Sequence, residues 1–265
     1  MNELGVRHIL NLSGGKDSTA LAVVMRDKIP EMEYVFCDTL KELPETYEYM
    51  DKVEAYLGKP IVRLNADRGF DHWLDIYGGL LPSSQARWCT RKLKLEPFEA
   101  YVGKDPVVSY IGIRADEDRS GYISTKPNIT AVFPFKEMGI TKADVFRILE
   151  ESGLNVPRYY EWRSRSGCYF CFFQRRGEWV GLKDRHPDLF EKAKAYEKMD
   201  PETGERFTWS QRESLVELEQ PDRLEEVRAK AGTLDKEATS RKLITLGSLI
   251  DPDEEDELGC LMCHT

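Results

Sequence analysis

Apolar and polar positions alternate in blocks along the first half of the chain. An apolar run from His8-Ile9-Leu10 through Leu12 leads into the polar, glycine-bearing loop Ser13-Gly14-Gly15-Lys16-Asp17-Ser18. Thr19-Ala20-Leu21-Ala22-Val23-Val24-Met25 then continues as a good helix former. That order predicts strand, tight turn and helix. The pattern predicts further strands at Glu33–Cys37, at 60–64 and at 107–113, the last ending at Arg114. Helices are expected from about Pro44 through Tyr56, with Gly58 as the stop, and from Thr141 to about Ser152, with Gly153 as the C-cap. This β/α alternation predicts an α/β fold with a doubly wound, mainly parallel sheet. Ligands of such sheets sit at the carboxyl ends of the strands. The glycine loop, Asp38 and Arg114 all fall at such ends, so they are expected to face one cleft. After about Tyr160 the strand signals fade, and charged helical stretches take over at 187–199, 210–219 and 223–231. The expected organisation is a sheet domain over residues 1–160, a helical part carrying a cysteine motif over 161–250, and an acidic, flexible tail over 251–265.

Composition narrows the class. The chain has 265 residues, 41% hydrophobic and 32% charged, which suits a soluble globular protein with a real core. No apolar run approaches the ~20 residues that span a bilayer. The segment Met1–Gly5 has no signal-peptide pattern. The expected location is the cytoplasm, with no membrane partner. A formal net charge of −9 argues against a uniformly basic surface for nucleic acid. It leaves room for a local basic channel around Arg163, Arg165, Arg175 and Arg176. Much of the acidity lies in Asp251–Glu257, a run that reads as solvated. The six cysteines include two C-x-x-C pairs, which in a cytosolic chain favour metal, iron–sulfur or redox chemistry over disulfides.

The glycine loop is built to hold an anion. Gly14 and Gly15 let the backbone approach a ligand, and the helix start that follows offers free N–H groups and a positive dipole end. Lys16 adds a full charge, and Ser13 and Ser18 add hydroxyls. Asp17 repels phosphate, so it reads as an N-terminal helix residue or as a ligand that brings Mg²⁺ to the phosphates. The loop lacks the Walker A spacing. It resembles the S-G-G-x-D-S pyrophosphate loop of the adenine nucleotide α-hydrolase superfamily, which holds the β- and γ-phosphates while ATP is cut between α and β. The resemblance implies ATP and Mg²⁺ as cofactors and adenylation rather than kinase chemistry. It implies nucleotide binding by Ser13, Gly14, Gly15, Lys16, Asp17, Ser18, Asp38 and Arg114. On residue chemistry alone, Asp38 either hydrogen-bonds a ribose or caps the next helix.

Two further segments extend the resemblance. Arg87-Trp88-Cys89-Thr90-Arg91-Lys92-Leu93-Lys94, followed by Leu95-Glu96-Pro97-Phe98, is similar to the cysteine–Arg-Lys–Glu-Pro segment of the phosphoadenosine phosphosulfate reductase family. Gly112-Ile113-Arg114 is similar to that family's Gly-Ile-Arg segment. Arg114 is placed to hold an α-phosphate or sulfate, or else to pair with Asp116, Glu117 or Asp118. Cys168 and Cys171, with Gly167 before them and aromatic neighbours, can ligate one metal ion or cluster from one turn. Together with Cys89 they match the split cysteine layout of the family's [4Fe–4S] members. The resemblance implies Cys89, Cys168 and Cys171 as ligands, with Cys263 as a fourth or with one iron left open; Zn²⁺ is the alternative metal. Assimilatory reductases carry a Cys-Cys pair at the first site, and residue 88 here is Trp.

The chain ends Gly259-Cys260-Leu261-Met262-Cys263-His264-Thr265, where family reductases carry a catalytic cysteine in a Cys-Gly-Leu-His tail. Cys263 is therefore expected to deliver a reactive thiol or to close the cluster; an exposed, mobile end is the plain alternative. Cys37 reads as a small buried residue, and the four histidines show no zinc or triad spacing. The chain looks most similar to the DNA-phosphorothioation enzymes. That implies an ATP pyrophosphatase in which Lys16, Asp17, Arg114 and Cys263 are catalytic, and which adenylates a target and supports its thiolation. The implied partners are an adenine nucleotide, a sulfur donor such as a cysteine desulfurase, and a nucleic-acid target reached through a partner protein. A sulfonucleotide reductase that releases sulfite and a non-catalytic nucleotide-binding subunit stand as alternatives.

Overall fold

A computed structural model describes residues 5–118, 126–199, 204–210 and 213–240. The acidic run and Cys260, Cys263 and His264 lie outside these residues. Strands β1 (Arg7–Leu12), β2 (Glu33–Cys37), β3 (Ile61–Leu64), β4 (Val107–Tyr110) and β5 (Ile129–Val132) form one sheet in the order β3-β2-β1-β4-β5. Every pairing in it is parallel. The first half supplies helices α1 (Lys16–Met25), α2 (Pro44–Leu57), α3 (Phe70–Ile76), α4 (Trp88–Thr90), α5 (Glu96–Val102), α6 (Pro134–Met138) and α7 (Lys142–Glu151). Beyond residue 160 come α8 (Arg176–Arg185), α9 (Pro187–Lys194), α10 (Leu215–Leu218) and α11 (Pro221–Ser240).

β1 is central, and its consecutive residues Ile9 and Leu10 are both fully buried, as a strand covered on two faces requires. Leu10 and Leu12 join Leu21 of α1, Met50 and Val53 of α2, and Val145 and Leu149 of α7 on one face. Ile9 and Val35 meet Phe98 and Val102 of α5 on the other. Strand order reverses between β2 and β4 around β1, so the loop after β1 opens at the switch point where such sheets bind ligands. The fold expected from the sequence is thus present. Gly58 ends α2 at φ +64°, the left-handed turn that glycine adopts without strain.

Several boundaries differ from expectation. β4 ends at Tyr110 rather than running to 113. Beyond it the chain passes beneath α1, where a Cβ on Gly112 would lie 3.1 Å from the backbone oxygen of Asp17. β5 escaped the sequence reading because its four residues sit at the sheet edge and only Ile129 is buried. The helix expected over 187–199 stops at Lys194; Lys198–Met199 instead pairs antiparallel with Arg206–Phe207 (β6 and β7). The helix expected over 210–219 is the single turn α10.

A second apolar core joins the two halves. Leu43, Phe70, Trp88 and Leu93 pack with Phe170, Trp179, Trp209, Leu218 and Val227. The rings of Phe170 and Trp209 stack at 4.9 Å. The turn carrying Cys168 and Cys171 is therefore rooted in a core that extends from residue 43 to residue 227. Among the described residues no helix is long and apolar enough to cross a membrane.

Leu149 locks α7 against α1 and is fully buried. Leu149→Ala is expected to lower the unfolding free energy by about 2–5 kcal/mol, read from urea titration with an unchanged slope. A loss under about 1 kcal/mol would mean that α7 is not packed as described.

Candidate active site

The loop after β1 turns on Gly14, whose φ of +73° no β-carbon tolerates well and whose Cβ would strike Thr46 at 2.6 Å. Gly15 caps α1 without a side-chain partner, so the first-turn N–H groups face outward as donors for an anion. The Ser18 hydroxyl accepts from the Ser13 N–H at 3.1 Å and donates to the Gly15 carbonyl, which braces the turn. Two consecutive tyrosines close over it. The Tyr159 hydroxyl donates to the Gly14 carbonyl at 2.7 Å, and the Tyr160 hydroxyl accepts from the Lys16 N–H at 3.2 Å.

Charge converges on Asp17. Lys16 Nζ donates to its Oδ2 at 2.8 Å, and Arg114 Nη1 donates to its Oδ1 at 2.9 Å. Burial alone would push this carboxyl up, but the two cations hold it below the usual range. Arg114 also pairs with Asp116 and Glu117. Arg114 thus makes the local ion pairs expected with Asp116 and Glu117, and it also reaches the loop through Asp17. Asp38 is buried, and its Oδ1 accepts from the Leu40 N–H and the Tyr47 hydroxyl, each at 2.8 Å. Its contacts here are within the loop that enters α2.

Two pockets open beside this cluster. One, of about 290 Å³ counting the space at its mouth, is lined by Asn11, Ser13, Phe36, Cys37, Glu42 and Lys94. The other, of about 420 Å³ on the same basis, is walled by Phe70, Phe170 and Phe172 and lined by Cys89, Cys168 and Cys171. Lys94 borders both. It is buried, and it is delivered by a π-helical turn (Arg91–Leu95) that widens the chain between α4 and α5.

The three cysteines expected as ligands thus share one apolar pocket. Gly167, at φ +140°, admits the turn that carries two of them. Buried Arg163 pins this turn by donating to the carbonyls of Gly167 at 3.0 Å and Cys168 at 2.9 Å. Thr39 Oγ1 lies 3.2 Å from Cys168 Sγ. Burial, then the Glu42 carboxyl, push the Cys168 thiol well up. Burial likewise raises Glu42, whose Oε2 has no hydrogen-bond partner. Among the described residues no group of three or more His, Cys, Asp or Glu is gathered tightly enough to grip a single ion. Cys37 lies in β2, and burial pushes its thiol up to about 12, in keeping with a small core residue. Trp88, which stands where reductases carry a cysteine, is core: it stacks on Tyr77 and donates from its ring N–H to the Leu80 carbonyl at 3.1 Å.

Sequence reasoning missed Glu42, Lys94, Tyr159, Tyr160, Arg163 and Ser166. Ser166 Oγ donates to Ser13 Oγ at 3.3 Å, and a Cβ on Gly15 would lie 2.8 Å from it. Lys94 stood inside a quoted cationic segment, where alternating charge hid which lysine turns inward. Arg163 was read only as part of a basic channel, and its bonds are to the nearby Gly167 and Cys168. Glu42, Tyr159, Tyr160 and Ser166 carry no local signal, because their contacts at the site lie more than a hundred residues away along the chain.

Residues 7–173 match the sequence pattern of the phosphoadenosine phosphosulfate reductase domain. The chain belongs to that family. An uncharacterised protein of Methanocaldococcus jannaschii is 29% identical over 194 residues, which is 68% of this chain and 39% of that protein. A second from the same organism is 29% identical over 193 residues, 69% of this chain and 45% of the relative. This chain therefore spans less than half the length of either. An uncharacterised 37.8 kDa protein of Escherichia phage 186 is 25% identical, covering 72% of this chain and 75% of that one. Among solved structures, phosphoadenylyl-sulfate reductase from Candida auris, in a phosphate complex, aligns with a TM-score of 0.48 and 17% identity, covering 62% of this chain and 81% of that one.

Asp17 offers a test of the charge cluster. Its folded pKa lies below the unfolded value, so its contribution is complete above about pH 4 and is lost as pH falls through the folded value. Asp17→Asn is expected to cost about 3–5 kcal/mol at neutral pH, because it strands buried Lys16 and removes one of the three carboxylates paired with Arg114. The difference from wild type is expected to shrink steadily in urea titrations below about pH 4. A difference independent of pH would show that the carboxylate charge is not what holds the cluster.

Proposed function

We propose that this member of the phosphoadenosine phosphosulfate reductase family is an ATP pyrophosphatase that adenylates an acceptor and supports sulfur transfer to it. The acceptor in this reading is nucleic acid, as in DNA phosphorothioate modification. One observation carries the reading: Lys94 borders both the pocket beside the pyrophosphate loop and the pocket lined by Cys89, Cys168 and Cys171. Nucleotide activation and sulfur chemistry then lie within reach of one cation.

The loop amides and Lys16 hold the β- and γ-phosphates. Incoming phosphates draw Lys16 and Arg114 away from Asp17, whose freed carboxylate would hold Mg²⁺, which would supply charge neutralisation at the phosphates. An acceptor oxygen attacks the α-phosphorus, the bond to the β-phosphate oxygen breaks, and pyrophosphate leaves with charge stabilised by Lys16, Arg114 and the α1 amides. Sulfur from a donor such as a cysteine desulfurase, brought from persulfide to sulfide level by two electrons from a thiol reductant, then attacks the activated centre, and AMP leaves with the acceptor oxygen. Asp38 contributes to holding the nucleoside side.

The donor set suits a [4Fe–4S] cluster, with three soft thiols lining one apolar pocket, and Zn²⁺ is the alternative metal. Cys89, Cys168 and Cys171 would hold the cluster, and it would supply iron sites with affinity for sulfur. Cys263, outside the described residues, is the proposed fourth ligand or sulfur-carrying thiol. A partner protein is the proposed route to the target for a chain of net charge −9.

A second reading, sulfonucleotide reduction with release of sulfite, is favoured by the activity for which the matched family is named. The buried Trp88 in place of a paired cysteine counts against it.

Anaerobic protein with Mg²⁺, ATP and DNA is expected to release pyrophosphate and AMP in equal amounts. Lys16→Ala or Arg114→Ala is expected to lower that rate by about 100–1000-fold. Thiol-dependent sulfite release from phosphoadenosine phosphosulfate, with no pyrophosphate from ATP, would replace this reading with the second one.

A further inference from the structure

Arg165 is a half-buried guanidinium whose charge is left unanswered. Among the described residues it makes no ion pair and no hydrogen bond, and its Nη1 is buried without a partner. Its one contact of note is the ring of Phe173, with the guanidinium carbon 5.0 Å from the centroid. Arg87 stacks over the same ring at the same distance. A cation–π contact returns about 0.5–2 kcal/mol, whereas taking a charged group out of water costs several kcal/mol. The ring therefore repays only part of the burial of Arg165. Nearby carboxylates are engaged elsewhere. Glu178 accepts from the Ser164 and Arg175 N–H groups, and Glu213 accepts from Arg176 and Arg223. Among the described residues no anion answers Arg165, which leaves its charge for one that a ligand supplies.

The surroundings say which anion. Arg163, two residues before, pins the cysteine turn, and Ser166, one residue after, touches Ser13 of the phosphate loop. Phe172, whose ring lies 4.2 Å from that of Phe173, lines the cysteine pocket, and Arg87 stands two residues before Cys89. Phe173 packs against Cys171 and Phe172, so the two guanidinium groups over its ring stand next to the cysteine pocket. The phosphates of a nucleotide already have Lys16, Arg114 and the α1 amides. What lacks a cation is the second substrate. Paired planar guanidinium groups suit a phosphodiester, whose oxygens they meet in a fork and beside whose bases they stack.

We infer that Arg165, together with Arg87 on the Phe173 ring, seats a backbone phosphodiester of the nucleic-acid acceptor beside the cysteine pocket. The inference rests on the reading of the acceptor as nucleic acid, and it adds the residues that recognise it.

The test uses the full chain, prepared anaerobically, and a labelled DNA single strand of about 12 nucleotides followed by anisotropy across a salt series. Arg165→Gln is expected to weaken strand binding about tenfold and to reduce the salt slope by about 0.7, the value for one phosphate contact on a single strand. ATP affinity, measured by calorimetry on the same samples, is expected to stay within about twofold. Arg165→Lys is expected to keep the slope. Should Arg165→Gln fail to fold, Arg87→Gln carries the same expectation. Parallel loss of ATP affinity would assign Arg165 to the nucleotide's own phosphates and overturn the inference. Unchanged strand binding in a folded variant, or no strand binding by wild type, would overturn it as well. Pyrophosphate release separates the two levels: a wild type that cleaves ATP but ignores the strand loses only this inference. One that binds the strand but leaves ATP intact loses only the adenylation reading.

Discussion

The bond between Arg114 and Asp17 is what the rest of the site depends on. It ties the end of β4 to the start of α1 across the point where strand order reverses. Gly112 makes it possible, since any larger residue there would press on the Asp17 carbonyl. Buried ion pairs are weak sources of net stability, because desolvation offsets attraction. Their value here lies in poise. Lys16 and Arg114 are already out of water and already facing an anion, so an incoming phosphate exchanges one negative partner for another. The desolvation that would oppose binding has been met during folding.

That exchange explains why the tyrosines matter. Tyr160 presents its hydroxyl to the Lys16 N–H and its ring to the Lys16 ammonium at 5.2 Å. Tyr159 fixes the Gly14 carbonyl. Both come from the short helical turn that leads into the cysteine segment. The loop and the cysteines are thus held by one stretch of chain from Tyr159 to Cys171, with Arg163 and Ser166 as its intermediate fastenings. Geometry at one pocket is transmitted to the other through covalent neighbours and buried hydrogen bonds.

The parts legible in the sequence are those whose physics is local. The loop's glycines, its lysine and the helix after it lie within a dozen residues, and periodicity exposed β1, β2 and α2 without ambiguity. The three cysteines were legible as a set from their spacing, and the structure brings them to one pocket. What stayed hidden depends on tertiary placement. Lys94 turns inward only because a π-helical turn shifts the register of its helix, and no spacing rule announces that shift. Glu42 follows an aspartate that looked the better candidate, yet it is Glu42 whose carboxyl reaches toward Cys168 and keeps an oxygen without a partner. β5 is too short and too exposed to stand out from a loop. Trp88 read as a departure from a cysteine pair; the structure gives the departure a cause, since the position faces Phe70 and Tyr77 rather than the pocket.

Net charge and local charge then point in opposite directions, and distance decides between them. A chain carrying −9 repels a polyanion at long range. At physiological ionic strength that repulsion is largely screened beyond about 8–10 Å, so the charges within that distance of a docked strand weigh more than the net charge. Under the proposed function a nucleic-acid acceptor would meet Lys94, Arg87 and Arg165 at contact, where neighbouring apolar side chains weaken screening and strengthen each charge. Such a surface gains little from steering and much from exact placement, the converse of a broadly basic binder. It follows that association with a free strand would be slow and that a basic partner presenting the strand would act chiefly on the rate of encounter. Recognition at the reacting phosphate would remain the work of the arginines beside the cysteine pocket.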